Sequence, residues 1–294
     1  MPELPEVETI CFQLNRVLRG LKITGVVVLS PKSFVGEIRE IREIRGKRVI
    51  GVERRGKMII IELEGGVCLT IHLKLTGQLI FREKGKKVKR IEKGEREKKE
   101  KGRLAGEELP NKYTRVIISF DNGGKLYFND LRKFGWMKIV RDLREMREMG
   151  EMGVEPFDKE FTVEYLQKIF SRTSRPVKIV LMDQEKIAGI GNIYANEALW
   201  EAGISPAKPA RRLGYNEITI LREAILRVLR QGIKYGGASA ADEAYVKPNG
   251  SPGEYQEHFL VYQREGQPCL RCKTLIKRVN LGGRGTFYCE KCQN

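Results

Sequence analysis

The chain is poor in acidic side chains, in long apolar runs and in scattered cysteine. No stretch stays apolar for the roughly 18–20 residues that a bilayer crossing needs, and the N-terminus carries no secretory h-region. Neither a membrane-spanning nor a secreted protein is expected, which leaves the cytoplasm. Asp and Glu number 38 against 55 Lys and Arg, a net charge of +17. That deficit points to a polyanionic partner, with nucleic acid ahead of an anionic membrane surface because no basic amphipathic anchor stands out. Only Cys11 and Cys68 lie outside the last 26 residues, where the other four of six cysteines crowd. Such usage suits a metal site and excludes a disulfide scaffold.

What is present divides the 294 residues into segments of different character, enough for two domains with sizeable cores or one large one. Val7, Cys11, Leu14 and Leu18 recur at helical spacing until Gly20 stops the run, with Pro5, Glu6 and Glu8 suited to a first turn. β-branched runs follow at 23–29, 49–52, 58–63, 67–72, 115–120, 126–129 and 136–140, divided by glycine-containing or charged turns. They predict antiparallel β-structure, a sandwich. The charged stretch at 82–111 interrupts the series as one long loop, and 82–103 alone carry a net +7. Near 141–157 the character changes, and 161–171, 192–202 and 217–235 are spaced as helices. Residues 236–257, rich in Gly, Ala, Ser and Pro, read as a mobile loop. The expected class is α+β, a β-sandwich with an N-terminal helix, then a helical domain, then a cysteine-bearing hairpin.

Several constellations carry chemistry. With Met1 removed, Pro2 is a secondary amine with a pKa of about 8, partly uncharged at neutral pH and able to form an iminium with a carbonyl-like carbon. Glu3, one residue on, suits the matching acid or base. Alone, the same residues fit a frayed start before an ordinary helix. Cys269-x2-Cys272, sixteen residues, then Cys289-x2-Cys292 is the spacing of a four-thiolate zinc site. Four sulfurs leave no open position, so this zinc is structural. Between the pairs a β-hairpin is expected, with Arg284 on a glycine-rich tip that suits phosphate or is simply an exposed turn. Asn192 suits a helix cap, or an anion site at free amides. Arg132, Lys133 and Phe134 suit a turn that grips phosphates and wedges into a base stack, or a packed β-turn. His72 and Leu75 close another strand, and Lys57 follows Arg54-Arg55-Gly56 in a basic turn; each has an ordinary surface reading too.

Taken together, the start PELPEVET, the HLKLTG turn, the RKFG turn, the MDQ and GIGNIYANEAL segment and the GGRGTFYCEKCQ end resemble the formamidopyrimidine-DNA glycosylase family of bacterial base-excision repair. The motifs run in the family's order over nearly the whole chain. The resemblance implies that Pro2 attacks C1′ of a damaged nucleoside, displacing the base and leaving a Schiff base. It gives Glu3 the proton transfers at the sugar ring oxygen. Lys57 and Arg284 support phosphate binding and the β,δ-eliminations that cut the strand on both sides of the lesion. His72, Lys178 and Asn192 contact phosphates, and Tyr113 stands among the DNA contacts at a place where the family often carries His. Leu75, Arg132 and Phe134 stand where residues enter the gap left by base flipping, Lys133 beside them binds DNA, and the 236–257 loop covers the everted base. It implies a catalytic sandwich at 1–145, a helix–two-turn–helix domain at 155–258 and a zinc hairpin at 259–294, monomeric, with double-stranded DNA in a basic cleft.

Two departures stand out. Leu75 replaces the family's usual Met, and the 82–111 loop is longer and more basic than usual, which should alter salt dependence more than chemistry. The activity implied is a bifunctional glycosylase and lyase for oxidised purines. An endonuclease VIII-like enzyme for oxidised pyrimidines and a non-catalytic zinc-ribbon DNA-binding protein are the alternatives.

Overall fold

In the computed structural model, the N-terminal apolar stripe forms helix α1 (Leu4–Leu18), whose Val7, Ile10, Cys11, Leu14 and Leu18 are all buried. At about 2 kcal/mol per buried apolar side chain, that stripe contributes on the order of 10 kcal/mol of transfer free energy, offset by the entropy of ordering the helix. The structure describes residues 1–85, 108–239 and 245–294. Most of the long basic loop expected at 82–111, and part of the 236–257 segment, lie outside the described residues.

Two units compose the chain, one of residues 1–150 with 235–256 and one of 151–234 with 257–294. In the first, α1 is followed by β1 (Ile23–Val28), β2 (Phe34–Val35), α2 (Ile38–Ile44), β3 (Val49–Arg55), β4 (Met58–Leu63), β5 (Val67–His72), β6 (Gly77–Arg82), β7 (Thr114–Phe120), β8 (Lys125–Asp130), β9 (Trp136–Val140) and the short α3 (Arg147–Gly150). One sheet runs β1-β7-β8-β6 and the other β2-β9-β5-β4-β3, all antiparallel except β2 with β9. The sheets share one core with α1, to which Ile59, Ile61, Leu69, Ile71, Val116, Ile118, Phe128 and Met137 contribute. Helix α1 packs on β3, an edge strand whose outward groups would otherwise be unpaired. Asn15 Oδ1 accepts the Val52 N–H at 3.0 Å, and the Cys11 thiol donates to Glu53 O at 3.1 Å.

The second unit is helical, with α4 (Val163–Ser171), α5 (Val177–Leu181), α6 (Asn192–Ala202) and α7 (Tyr215–Lys234), then the hairpin β10 (Lys277–Leu281) and β11 (Arg284–Tyr288). Thr162 caps α4 through its hydroxyl, which accepts the Tyr165 N–H. Helices α6 and α7 approach closely at Gly232, where a Cβ would lie 2.4 Å from the Tyr194 hydroxyl. Among the described residues, no helix is long and apolar enough to cross a membrane.

Candidate active site and nucleic-acid interface

The start of the chain is anchored, not frayed. Pro2 is buried and Glu3 is 2% exposed. The Glu3 N–H donates to Glu6 Oε2 at 2.8 Å, and the second Glu6 oxygen accepts the Ala238 N–H at 2.8 Å. A fully buried carboxylate thus ties the catalytic candidates to the 235–256 segment of the same unit. Gly237 takes a φ of +80°, and a Cβ there would lie 2.8 Å from Glu6 Cγ, so the approach needs glycine.

One turn further along α1, Glu8 accepts Arg54 Nε at 2.5 Å, which sets the helix start over the end of β3. There the chain reverses through Gly56-Lys57, with Arg55 paired to Met58 and positive φ at Gly56. Such a two-residue hairpin turn places Lys57 inward at 6% exposure. Met58 pairs in turn with His72 on β5, so Lys57 and His72 share one end of the sheet with the α1 start.

His72 is an uncharged donor. Its Nδ1 accepts the Lys74 N–H at 3.1 Å, while burial first, then the charges of Lys74 and Lys57, push the imidazole down to about 3. The remaining proton is therefore on Nε2, suited to a phosphate oxygen without any change of ionisation.

Two turns leave this end of the sandwich. Lys74 and Lys133 adopt left-handed φ of 51° and 57°, uncommon for side-chain-bearing residues, and each directs its turn outward. Phe134 is 52% exposed, with the Arg132 guanidinium 4.8 Å from its ring centre. An aromatic held in water beside cations is what an intercalating element requires. Leu75, which reads as exposed in sequence, is half-buried. Tyr113 is half-buried also, and its carbonyl accepts the Asp130 N–H at 2.9 Å.

The second unit carries the other candidates. Strands β10 and β11 turn through Gly282-Gly283, both with positive φ, leaving Arg284 exposed at the tip. Behind the tip Lys178 is fully buried, donating to Gly285 O at 3.1 Å and to Thr286 Oγ1 at 2.7 Å. Asn192 Nδ2 donates to the same Gly285 carbonyl at 3.2 Å. The cap position expected of Asn192 is held by Gly191, because the helix begins one residue later, at Asn192 itself, whose side-chain Nδ2 turns to the hairpin. Structure thus brings Lys178, Asn192 and the Arg284 strand together.

At the base of the hairpin the four sulfurs of Cys269, Cys272, Cys289 and Cys292 lie within 4.8 Å of one another. Tetrahedral zinc, with Zn–S of about 2.3 Å, needs S···S of roughly 3.8 Å. The Cys269–Cys292 and Cys272–Cys289 separations are 3.9 and 3.4 Å. Hydrogen bonds from the Thr274 hydroxyl and amide pull Cys272 down to about 6, whereas desolvation and the neighbouring sulfurs push Cys292 up to about 12. Four thiols so crowded ionise together only around a cation, and they fit a structural zinc.

Three buried carboxylates escape a sequence reading as site residues. Glu6 reads there only as a helix-dipole partner, although its place three residues after Glu3 is that of a capping box. Asp130 organises the outward turns, and its signal is the Asx-turn pattern two residues before Arg132. Glu197 on α6 accepts the N–H groups of Leu260, Val261 and Tyr262 and so docks the segment leading to the zinc hairpin. Burial pushes its carboxyl up to about 7 against the pull of those amides.

Comparison with known proteins matches this arrangement. Residues 1–137 match the formamidopyrimidine-DNA glycosylase N-terminal domain, 152–243 the formamidopyrimidine-DNA glycosylase H2TH domain, and 266–294 a zinc finger found in FPG and IleRS. A formamidopyrimidine-DNA glycosylase of Pelotomaculum thermopropionicum is 41% identical over 297 residues, spanning all of this chain and 99% of that protein. The crystal structure of MutM (Fpg) from Thermus thermophilus superposes with a TM-score of 0.83 at 36% identity, over 99% of this chain and 98% of that one. Lactococcus lactis Fpg in complex with abasic-site DNA gives 0.84 at 28% identity, over 99% of both chains.

Proposed function

The chain belongs to the formamidopyrimidine-DNA glycosylase family, and from that membership we propose a base-excision repair enzyme that removes oxidised purines and then cuts the strand. The observation that carries this reading is the buried, hydrogen-bonded start of the chain, where Pro2 is buried and the next residue, Glu3, donates its N–H to Glu6. An amine that is to attack one carbon must be positioned, and a frayed terminus would not do so.

In this reading the Pro2 nitrogen, freed by loss of Met1, attacks C1′ of the damaged nucleoside, and the base departs with the glycosidic electron pair and takes up the proton that the amine gives up. Glu3 protonates the ring oxygen as the sugar opens, and the nitrogen lone pair completes an iminium. Lys57 and Arg284 hold the flanking phosphates while β- and then δ-elimination release the strand ends. His72 adds a neutral donor to a phosphate, and Asn192 and Tyr113 line the backbone path, while the buried Lys178 holds the Arg284 strand through Gly285 and Thr286 and does not itself reach a phosphate. Phe134 and Leu75 fill the space of the extruded nucleotide, with Arg132 and Lys133 beside them, which offsets the few kcal/mol that flipping costs. Zinc in the cysteine site braces the hairpin that carries Arg284. The enzyme would work in the cytoplasm, on nucleoid DNA.

A Lactococcus lactis relative has been solved with DNA containing an oxidised pyrimidine, so lesion preference is the point to test. Single-turnover cleavage of a duplex with 8-oxoguanine opposite cytosine is expected to exceed that of a thymine glycol duplex. The reverse order would favour the pyrimidine enzyme, and cleavage of neither would favour a DNA-binding protein without activity.

A further inference from the structure

Asp130 is the one fully buried carboxylate at the end of β8, immediately before the exposed residues Leu131 and Phe134. Its Oδ1 accepts the Thr76 hydroxyl and, at 3.1 Å, the Arg132 N–H; its Oδ2 accepts the Gly135 N–H at 2.7 Å. The Arg132 N–H also reaches Thr76 Oγ1 at 3.0 Å, so Thr76, Asp130 and Arg132 close a three-membered ring of hydrogen bonds. Thr76 belongs to the turn that carries Leu75, whereas Arg132 and Gly135 bracket the turn that carries Phe134. One carboxylate therefore spans both. Main-chain contacts hold it in turn, since its N–H donates to Tyr113 O at 2.9 Å and its carbonyl accepts Arg115 Nε at 2.8 Å. The two turns also press together directly: a Cβ on Gly135 would lie 3.1 Å from the carbonyl oxygens of both His72 and Leu73.

We propose that Asp130 is a positioning residue that locks the Leu75 turn and the Phe134 turn into one register, so that both enter the base stack as a single rigid element. Backbone groups otherwise left to water in an exposed, left-handed turn would sample many arrangements. Here a buried carboxylate fixes the amides on both sides of Arg132 and Phe134, and charge-assisted bonds of this kind are the stronger class. Asparagine at the site keeps one acceptor but turns an amide NH2 toward a buried N–H donor, Gly135 or Arg132. Loss of that one bond frees one turn from the other without emptying the core.

The inference rests on the proposed glycosylase reading, and the test separates the two. Single-turnover excision of 8-oxoguanine requires the wedge, whereas cleavage of a duplex already containing an abasic site has little base stacking to break. Asp130→Asn should slow excision by about tenfold or more, the effect of one charge-assisted hydrogen bond, and slow abasic-site cleavage by less than about threefold. Because Asp130 acts through both turns, Asp130→Asn added to Phe134→Ala should cost less than the two separate losses combined, the remainder acting through the Leu75 turn. Thr76→Val, which removes the bridging hydroxyl, should reproduce the excision defect in part. Equal loss on both substrates, additivity with Phe134→Ala, or parental excision by Asp130→Asn would each overturn the proposal. If the parent chain itself acts on neither duplex, the glycosylase reading fails, and the proposal with it.

Discussion

Glu6→Gln tests the link between the anchored N-terminus and the loop at 235–256. The two carboxylate oxygens each accept one buried N–H, from Glu3 and from Ala238, at 2.8 Å. Glutamine is nearly isosteric, so packing is kept, but its amide nitrogen faces one of those donors. The loss is one charge-assisted hydrogen bond plus an unsatisfied buried N–H, together about 2–4 kcal/mol. For a unit of this size that corresponds to a fall of roughly 5–12 °C in melting temperature. Whichever partner is released, the geometry of Pro2 or the seating of the loop suffers, and single-turnover excision should fall by roughly 10- to 100-fold. Gly237→Ala attacks the same contact from the other side, since its Cβ would lie 2.8 Å from Glu6 Cγ at a φ of +80°. Differential scanning calorimetry and quenched-flow excision on the processed protein make the measurement. Parental melting and parental excision for Glu6→Gln would refute the reasoning, because a carboxylate so placed has no neutral substitute.

Three more outcomes follow from the same geometry. Removing zinc with a chelator, or Cys289→Ser, should weaken DNA binding and strand cleavage by displacing Arg284 while the sandwich melts as before; cleavage at the normal rate without metal would contradict the bracing role. His72 is held below its ordinary pKa, so between about 3 and 6.5 the native state binds fewer protons than the unfolded chain. Its contribution to stability is complete above about 6.5 and is lost as pH falls below that, so His72→Phe should flatten the acid limb of a stability–pH curve measured by urea unfolding, and an unchanged limb would count against the assignment. Leu75→Met conserves volume at a half-buried site and should cost less than about 1.5 kcal/mol, leaving excision within a few-fold; a large loss would show that the stiffer side chain matters.

Much of this architecture is written in local pattern. The residues expected for α1 are its buried stripe, and the runs at 58–63, 67–72 and 136–140 coincide with β4, β5 and β9, because β-branched residues flanked by turns leave little choice. Strand β6 is not legible, since Gly77-Gln78 opens it and its register depends on β8, far along the chain. Helix α2 is hidden by its length, since seven residues with isoleucine at every third position offer too few apolar sites to separate a helix from a charged turn. The cysteine cluster is legible because ligand spacing is a local property. Glu6, Asp130 and Glu197 do not read as site residues, for a buried carboxylate looks like any other acid until the amides that meet it are known. Those amides come from Ala238, from the turn beyond β8 and from residues 260–262. Motif residues thus announce the chemistry, while the residues that aim them are set by contacts that no local pattern carries.

Everything in the proposed mechanism depends on the Pro2 amine forming the covalent intermediate. Borohydride reduction of the protein mixed with an 8-oxoguanine duplex, followed by peptide mass mapping, tests that step. The expected result is a DNA adduct on Pro2 of the processed chain and none on a chain carrying an uncleaved N-terminal extension, in which that nitrogen is a tertiary amide. An adduct that persists with the extension in place, or that maps to Lys57, would contradict it.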